Sequence, residues 1–365
     1  MSRIIGSPID DLDTPALLLE VPVLETNLKK MAAFFRNRPC KLRPHMKSHK
    51  CAALMRRQLA VGSTVGITCA KLGEADVAAR GGCDDVLIAN QVVGRRKLLR
   101  LVETARRTSL RVAVDDSQQL NAISEAAQVA QVTIGVLVEV NIGMQRCGVP
   151  PGEPALNLAQ QIQSLRGVTF DGLQAYEGHL VYEVDADKRK RQTKMAMQLA
   201  IDTRRLIEQR GIEVAVVSGG SSSTYDAVGV LEGFDEVQAG SYAAMDWRYH
   251  DNAPEFNCAM SILARVISVL REGNAVLDVG LKGMGNEFGP PRLKYASAHQ
   301  REHHDFRMSE EHCTIGNVSG LRTGHAIELI PSHGCTTSNL YRQFYLHEDG
   351  KVVDVWPIEA AGAVQ

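Results

Sequence analysis

A chain of 365 residues is long enough for a barrel-sized core with a smaller one beside it. Its 41 Lys and Arg against 42 Asp and Glu leave a net charge of −1, which offers no electrostatic footing for nucleic acid or an anionic membrane surface. No apolar run approaches a bilayer span, the first residues lack the apolar core of a signal peptide, and the eight cysteines are scattered without a C-x-x-C pair, so a cytoplasmic protein with reduced thiols is expected.

After a short polar leader, Thr14-Pro-Ala-Leu-Leu-Leu-Glu20 reads as a buried strand, and residues 22–36 repeat apolar groups at helical spacing. A rhythm then begins. Eight short runs, 41–47, 65–70, 85–90, 111–116, 134–141, 170–177, 213–219 and 236–242, end in polar or reactive residues. Between them lie helix-like stretches such as 50–60, 72–80, 93–107, 117–130, 154–164 and 187–210. Eight strand–helix units in succession predict an α/β fold, a parallel (β/α)8 barrel of the TIM type. Past residue 250 the texture changes to β-like runs without intervening helices, at 260–270, 275–279, 311–315, 326–330, 342–346 and 351–355, separated by turn signals. These predict a second, all-β domain, with the charged, His-rich residues 292–310 as a loop or mobile insertion.

In such barrels the reactive groups lie at the C-terminal ends of the strands. Lys47 ends the first run, flanked by His45, His49 and Lys50. An isolated lysine in that company is usually a solvated basic patch; its position makes it a candidate amine nucleophile toward carbonyls. Ser218-Gly-Gly-Ser-Ser-Ser-Thr224 follows the seventh run and Gly240-Ser-Tyr242 the eighth, where barrels of this kind hold phosphates on backbone N–H groups and hydroxyls. Either stretch alone is an ordinary turn; the pair at these positions favours an anion site. Arg146, behind the fifth run, either pairs with a surface acid or holds an anionic oxygen. Tyr176 is either core or a donor to a ring. His333-Gly-Cys335 supplies two soft donors that suit zinc, but two ligands leave a shell open, and the spacing alone is common by chance. His303-His304 and His312 with Cys313 are weaker metal candidates.

Taken together these residues resemble the fold-type III pyridoxal-phosphate enzymes related to D-threonine aldolase and D-serine dehydratase. The motifs that carry the resemblance are Asp13-Thr-Pro-Ala, Arg43-Pro-His-Met-Lys47, Glu139-Val-Asn-Ile-Gly-Met-Gln-Arg146-Cys-Gly, Gly172-Leu-Gln-Ala-Tyr176, Gln238-Ala-Gly-Ser-Tyr-Ala-Ala-Met-Asp246, Asp278-Val-Gly-Leu-Lys282 and Pro331-Ser-His-Gly-Cys335. The resemblance implies an N-terminal barrel over 23–255, a β-domain formed by 1–22 and 256–365, and a homodimer. It implies that Lys47 forms the Schiff base with pyridoxal 5'-phosphate, that Arg146 holds the cofactor's phenolic oxygen, and that Tyr176 lies by the pyridine nitrogen. Gly219, Gly220, Ser222, Gly240, Ser241 and Tyr242 would surround the phosphate. His333 and Cys335 take the positions of the ligands of a divalent metal, zinc, manganese or magnesium. The related aldolases usually carry an acid where Cys335 stands, as the D-serine dehydratases do not, and the phosphate loop is partly serine, at Ser221 and Ser223.

The activity so implied is retro-aldol cleavage of D-3-hydroxy-amino acids to glycine and an aldehyde, with Lys47 and His333 in the chemistry. The rival is a dehydratase of D-serine or 3-hydroxyaspartate giving a 2-oxo acid and ammonia, which Cys335 favours. A non-catalytic cofactor-binding barrel would lack residues 256–365, and a cofactor-free lysine aldolase would not need the phosphate loops.

Overall fold

The computed structural model describes residues 4–271, 273–294, 305–318 and 320–365. They divide into two compact units. One comprises Lys30–Lys47, Ala52–Gly240 and Ala363–Gln365; the other comprises Met1–Lys29, Ser48–Cys51 and Ser241–Gly362.

The chain starts with β1 (Ala16–Glu20) and α1 (Val21–Phe35). Eight parallel strands follow: β2 (Lys41–Leu42), β3 (Ile67–Cys69), β4 (Asp85–Ile88), β5 (Ser109–Val114), β6 (Ile134–Glu139), β7 (Val168–Ala175), β8 (Val216–Gly219) and β9 (Glu236–Val237). Each lies in one of the eight runs read from the sequence, give or take two residues. Their order is β2-β9-β8-β7-β6-β5-β4-β3, and the bridges Leu42↔Thr64 and His45↔Thr68 join the two ends of that sheet into a barrel. The strands alternate with α2 (Ala52–Ala60), α3 (Leu72–Arg80), α4 (Arg95–Ala105), α5 (Ser117–Ala130), α6 (Glu153–Ser164), α7 (Ala186–Gln209) and α8 (Tyr225–Val228). Strands covered on both faces do not alternate in polarity, and all six residues of β6 are buried. The helices start where the sequence provides a stop: the Asp116 carboxylate takes the N–H groups of Gln118 and Gln119 at 2.8 and 3.0 Å, capping α5.

Near the N-terminal ends of the strands the barrel interior holds ions rather than hydrocarbon. Arg43, 1% exposed, donates two 2.7 Å bonds to the Glu236 carboxylate and a 2.8 Å bond to Asp85. Asp85 also accepts from Arg111, which bonds Asp171 at 2.8 Å. Gly135 makes the crossing possible, because a Cβ there would stand 2.4 Å from an Asp171 oxygen. A guanidinium so enclosed stays charged; burial opposes the charge, but Glu236 and Asp85 more than offset it.

The second unit is a nine-stranded sheet among the described residues. It is built from β1, β10 (Met260–Arg271), β11 (Asn274–Leu277), β12 (Arg292–Leu293), β13 (Phe306–Met308), β14 (Cys313–Gly316), β15 (Ala326–Ile330), β16 (Gln343–Glu348) and β17 (Lys351–Pro357), with the helices α9 (Trp247–Asn252) and α10 (Gly334–Ser338). The order is β13-β14-β11-β10-β1-β16-β17, and β15 pairs with β10 and β12. β1 runs antiparallel to β10 and parallel to β16, and its Leu17, Leu18 and Leu19 are fully buried. Two expectations need correction. Residues 292–310 are not all loop, since β12 and β13 at their two ends are drawn into pairing with β15 and β14. The run of β elements is also not free of helix: Gly334–Ser338 coils because the Thr337 and Ser338 hydroxyls bond back to the His333 and Gly334 carbonyls at 2.7 Å. All eight cysteines are free thiols, and among the described residues no helix is long and apolar enough to cross a membrane.

Candidate active site

β2 is short, yet its path continues through Arg43 N–H to Val237 O at 2.8 Å and His45 N–H to Ala239 O at 3.0 Å, delivering the chain to a 3-10 turn at Met46–Ser48. Lys47 sits in that turn at the C-terminal end of the strand, and its Nζ lies 5.6 Å from the centroid of the Tyr176 ring. The Arg146 guanidinium lies 5.4 Å from the same centroid, so two cations share one aromatic ring. The Lys47 N–H points at His45 Nδ1 at 3.4 Å and the Cys51 N–H at His49 Nδ1 at 3.1 Å.

Arg146 is held out by a loop built on Asn141. The Asn141 side-chain oxygen takes the N–H groups of Gly143 and Gln145 at 3.1 Å, and the chain folds back so that Val149 N–H reaches Glu139 O at 2.9 Å. Glu139, Arg146 and Tyr176 line one small cleft there.

β8 delivers Gly219 and Gly220 to the loop Ser221–Thr224. A Cβ on Gly219 would lie 1.7 Å from Ala175 O, and Gly220 turns the chain at φ +79°. Three hydroxyls of this loop are engaged by the protein: Ser221 Oγ is 2.9 Å from Thr224 Oγ1 within the loop, Thr224 donates to Glu177, and Ser223 Oγ donates to Val181 O at 2.8 Å. Ser221 and Ser223 thus rigidify the turn, and their own N–H groups are taken up within it, by the Thr224 hydroxyl at 3.0 Å and the Ser221 hydroxyl at 3.3 Å. Behind it stands Glu177, which sequence reasoning passed over. Fully buried, it accepts from the Thr224 hydroxyl and Gly220 N–H, while its Oε2 has no hydrogen-bond partner. Burial pushes its carboxyl up to about 7, against the downward pull of those donors and of Lys47.

In the sheet-bearing unit, His333 precedes α10 and Cys335 lies within it. The imidazole hydrogen-bonds the Cys335 side chain, so the two donors adjoin. Its Nδ1 is 3.3 Å from Glu287 Oε1, and its ring lies against Phe288 with centroids 5.1 Å apart. Burial disfavours its charge, but Cys335, Asp246 and Glu287 outweigh burial and raise the imidazole to about 9. Asp246 caps α9 through Tyr249 N–H at 2.8 Å, and its other oxygen accepts Gly334 N–H, from the residue between the two donors, at 2.7 Å. Cys335, Asp246, Ser241 and Ser48 line one cleft, and Ser338 Oγ donates to the carbonyl of Ser48, the residue after Lys47, at 2.9 Å. Tyr242 is fully buried against Phe256.

Among the described residues no group of three or more His, Cys, Asp and Glu is arranged for a metal. The His333–Cys335 pair offers two adjoining donors, with one imidazole nitrogen directed to a carboxylate. His312 is exposed while Cys313 is buried, so they form no second pair; His303 and His304 lie outside the described residues. For pyridoxal phosphate the fit rests on a strand-end lysine and an arginine sharing one aromatic ring, and on glycines at β8 where a Cβ has no room.

A closed (β/α)8 barrel with a lysine at the end of its first strand, joined to a sheet that includes the first strand of the chain, defines the alanine racemase-like class of fold. The comparisons narrow it. The profile of the family described as alanine racemase, N-terminal domain, matches residues 21–246, and that of a serine dehydratase domain matches 259–347. The chain is 36% identical to a D-threonine aldolase of Arthrobacter sp over 98% of its length and 95% of the relative's. It is 31% identical to the 3-hydroxy-D-aspartate aldolase of Paracoccus denitrificans (strain Pd 1222), covering 98% and 94%. The crystal structure of D-threonine aldolase from Filomicrobium marinum superposes with a TM-score of 0.94 at 37% identity, covering 99% of each chain. The chain belongs to the fold-type III family of D-threonine aldolase and D-serine dehydratase.

Proposed function

We propose that the protein is a lyase that cleaves D-3-hydroxy-amino acids by retro-aldol reaction to glycine and an aldehyde. When bound, pyridoxal 5'-phosphate supplies the sink for the carbanion left at Cα, and a divalent metal supplies Lewis acidity at the β-hydroxyl. The chain's own residues bind and orient. The Lys47 amine would anchor the cofactor covalently, and the Arg146 guanidinium and Tyr176, which share the lysine's surroundings, would hold its phenolic oxygen and its pyridine ring. Gly219, Gly220 and Ser222, with Gly240, Ser241 and Tyr242 further along, hold the phosphate. His333 and Cys335 hold the metal.

The observation that carries this reading is the convergence of Lys47 and Arg146 on the Tyr176 ring, in a chain with full-length similarity to named aldolases. One feature favours a dehydratase instead: the resemblance implies that the aldolases usually carry an acid where Cys335 stands, and Cys335 lies within the stretch matched by the serine dehydratase profile. Product analysis separates the two. With D-threonine, D-serine or D-3-hydroxyaspartate and added zinc, manganese or magnesium, glycine plus aldehyde is expected; ammonia plus a 2-oxo acid would transfer the assignment to the dehydratase. Incubation with pyridoxal phosphate is expected to give a visible absorbance band that is absent in Lys47→Ala. Without such a band in the native protein, the cofactor reading fails.

A further inference from the structure

We propose that Asp246 and Glu287 are the positioning residues of the His333–Cys335 pair, Asp246 fixing the main chain between the two donors and Glu287 fixing the imidazole. The inference rests on the reading that this pair holds a divalent metal.

Two donors spaced one residue apart converge only if the peptide between them is held. Gly334 N–H, which leaves that peptide, bonds Asp246 Oδ2 at 2.7 Å. The other Asp246 oxygen is taken by Tyr249 N–H, so both oxygens are engaged by backbone and Asp246 is a support rather than a ligand. Asp246 is 1% exposed, and a buried carboxylate that accepts two N–H groups has a single low-energy orientation. The chain is bent to put it there. Met245, a non-glycine residue, sits at φ +59° in the left-handed region, held by its N–H bond to Ser241 O at 2.7 Å, and Trp247 N–H bonds Pro331 O at 3.3 Å on the other side.

Glu287 acts on the ring. Its Oε1 faces His333 Nδ1 at 3.3 Å, and the Thr336 hydroxyl bonds the same carboxylate, so the acceptor is itself held. An acceptor on Nδ1 selects the tautomer whose Nε2 lone pair is free for a metal and makes that nitrogen more basic. Phe288 bounds the ring on one side, so the imidazole has little freedom to turn away.

The test is zinc affinity of the full chain, measured by competition with a chromophoric chelator at fixed pH. Glu287→Ala and Asp246→Ala are each expected to weaken zinc binding roughly 10–100-fold. Glu287→Gln, which keeps an acceptor oxygen for Nδ1, is expected to stay near the native value. Cobalt loading gives a second readout: the thiolate charge-transfer band of Cys335 should lose intensity in Asp246→Asn, which keeps the fold-sparing shape but one acceptor fewer. If Asp246→Ala does not fold, Asp246→Asn and the Glu287 pair decide the matter. Native affinity in Glu287→Ala and Asp246→Asn would overturn the inference while leaving the metal reading intact. A native protein that binds neither zinc nor cobalt would overturn both.

Discussion

Replacing Glu177 with glutamine isolates the cost of burying one carboxyl beneath the Gly219–Thr224 loop. The folded carboxyl titrates at about 7, against 4.5 for an unburied glutamate. Between those values the folded chain holds a proton that the unfolded chain has released, so stability falls as pH rises through the window, and the full penalty is present above pH 7. At 1.36 kcal/mol per unit the difference corresponds to about 3 kcal/mol. Glutamine keeps an oxygen for Thr224 and Gly220 but cannot ionise. The native protein and Glu177→Gln should therefore be similar in stability near pH 5, with the variant gaining by about 3 kcal/mol toward pH 8. Urea unfolding midpoints of both proteins, taken across that range on the barrel's own transition, measure the divergence. Two pH profiles that run parallel would refute the reasoning, because they would mean that the buried carboxyl does not change its charge in the window.

Two further substitutions test the barrel. Arg43→Ala strands Glu236 in the interior, while Asp85 keeps Arg111, and is expected to cost about 3–5 kcal/mol, read as a loss of urea midpoint. Gly219→Ala forces a methyl against the Ala175 carbonyl, so a destabilisation of about 3 kcal/mol and weakened uptake of pyridoxal phosphate are expected, measured by unfolding and by absorbance titration.

What could be read from sequence was periodic or local. The eight runs announced the barrel because they alternate with helical stretches in regular succession, and the strand-end rule then marked Lys47, Tyr176 and the Gly219–Gly220 turn without any contact being known. What could not be read depends on partners far apart in the chain. Arg43, Asp85, Arg111, Asp171 and Glu236 each look like surface charges until the barrel closes on them. Glu177 ends the sixth run in plain view, but its proton affinity comes from complete burial, which no spacing encodes. Asp246 stood within a motif as one acid among forty-two Asp and Glu; its hold on Gly334 spans 88 positions. The short helix after His333 escaped because five residues are too few for a helical repeat to register.

The placement of β1 has a consequence for the birth of the protein. This strand is made before the barrel sequence, yet its neighbours in the sheet, β10 and β16, are made only after it. At ordinary elongation speeds Leu17, Leu18 and Leu19 emerge on the order of 10–50 s before Met260. For that interval a strand with three consecutive leucines has no edge to join, while the barrel that follows it in sequence can already close. The nascent chain thus carries its own delay: a sticky segment that must be kept from other chains by chaperones or by the ribosome's own spacing of polypeptides, until the strands that follow the barrel supply the sheet that receives it.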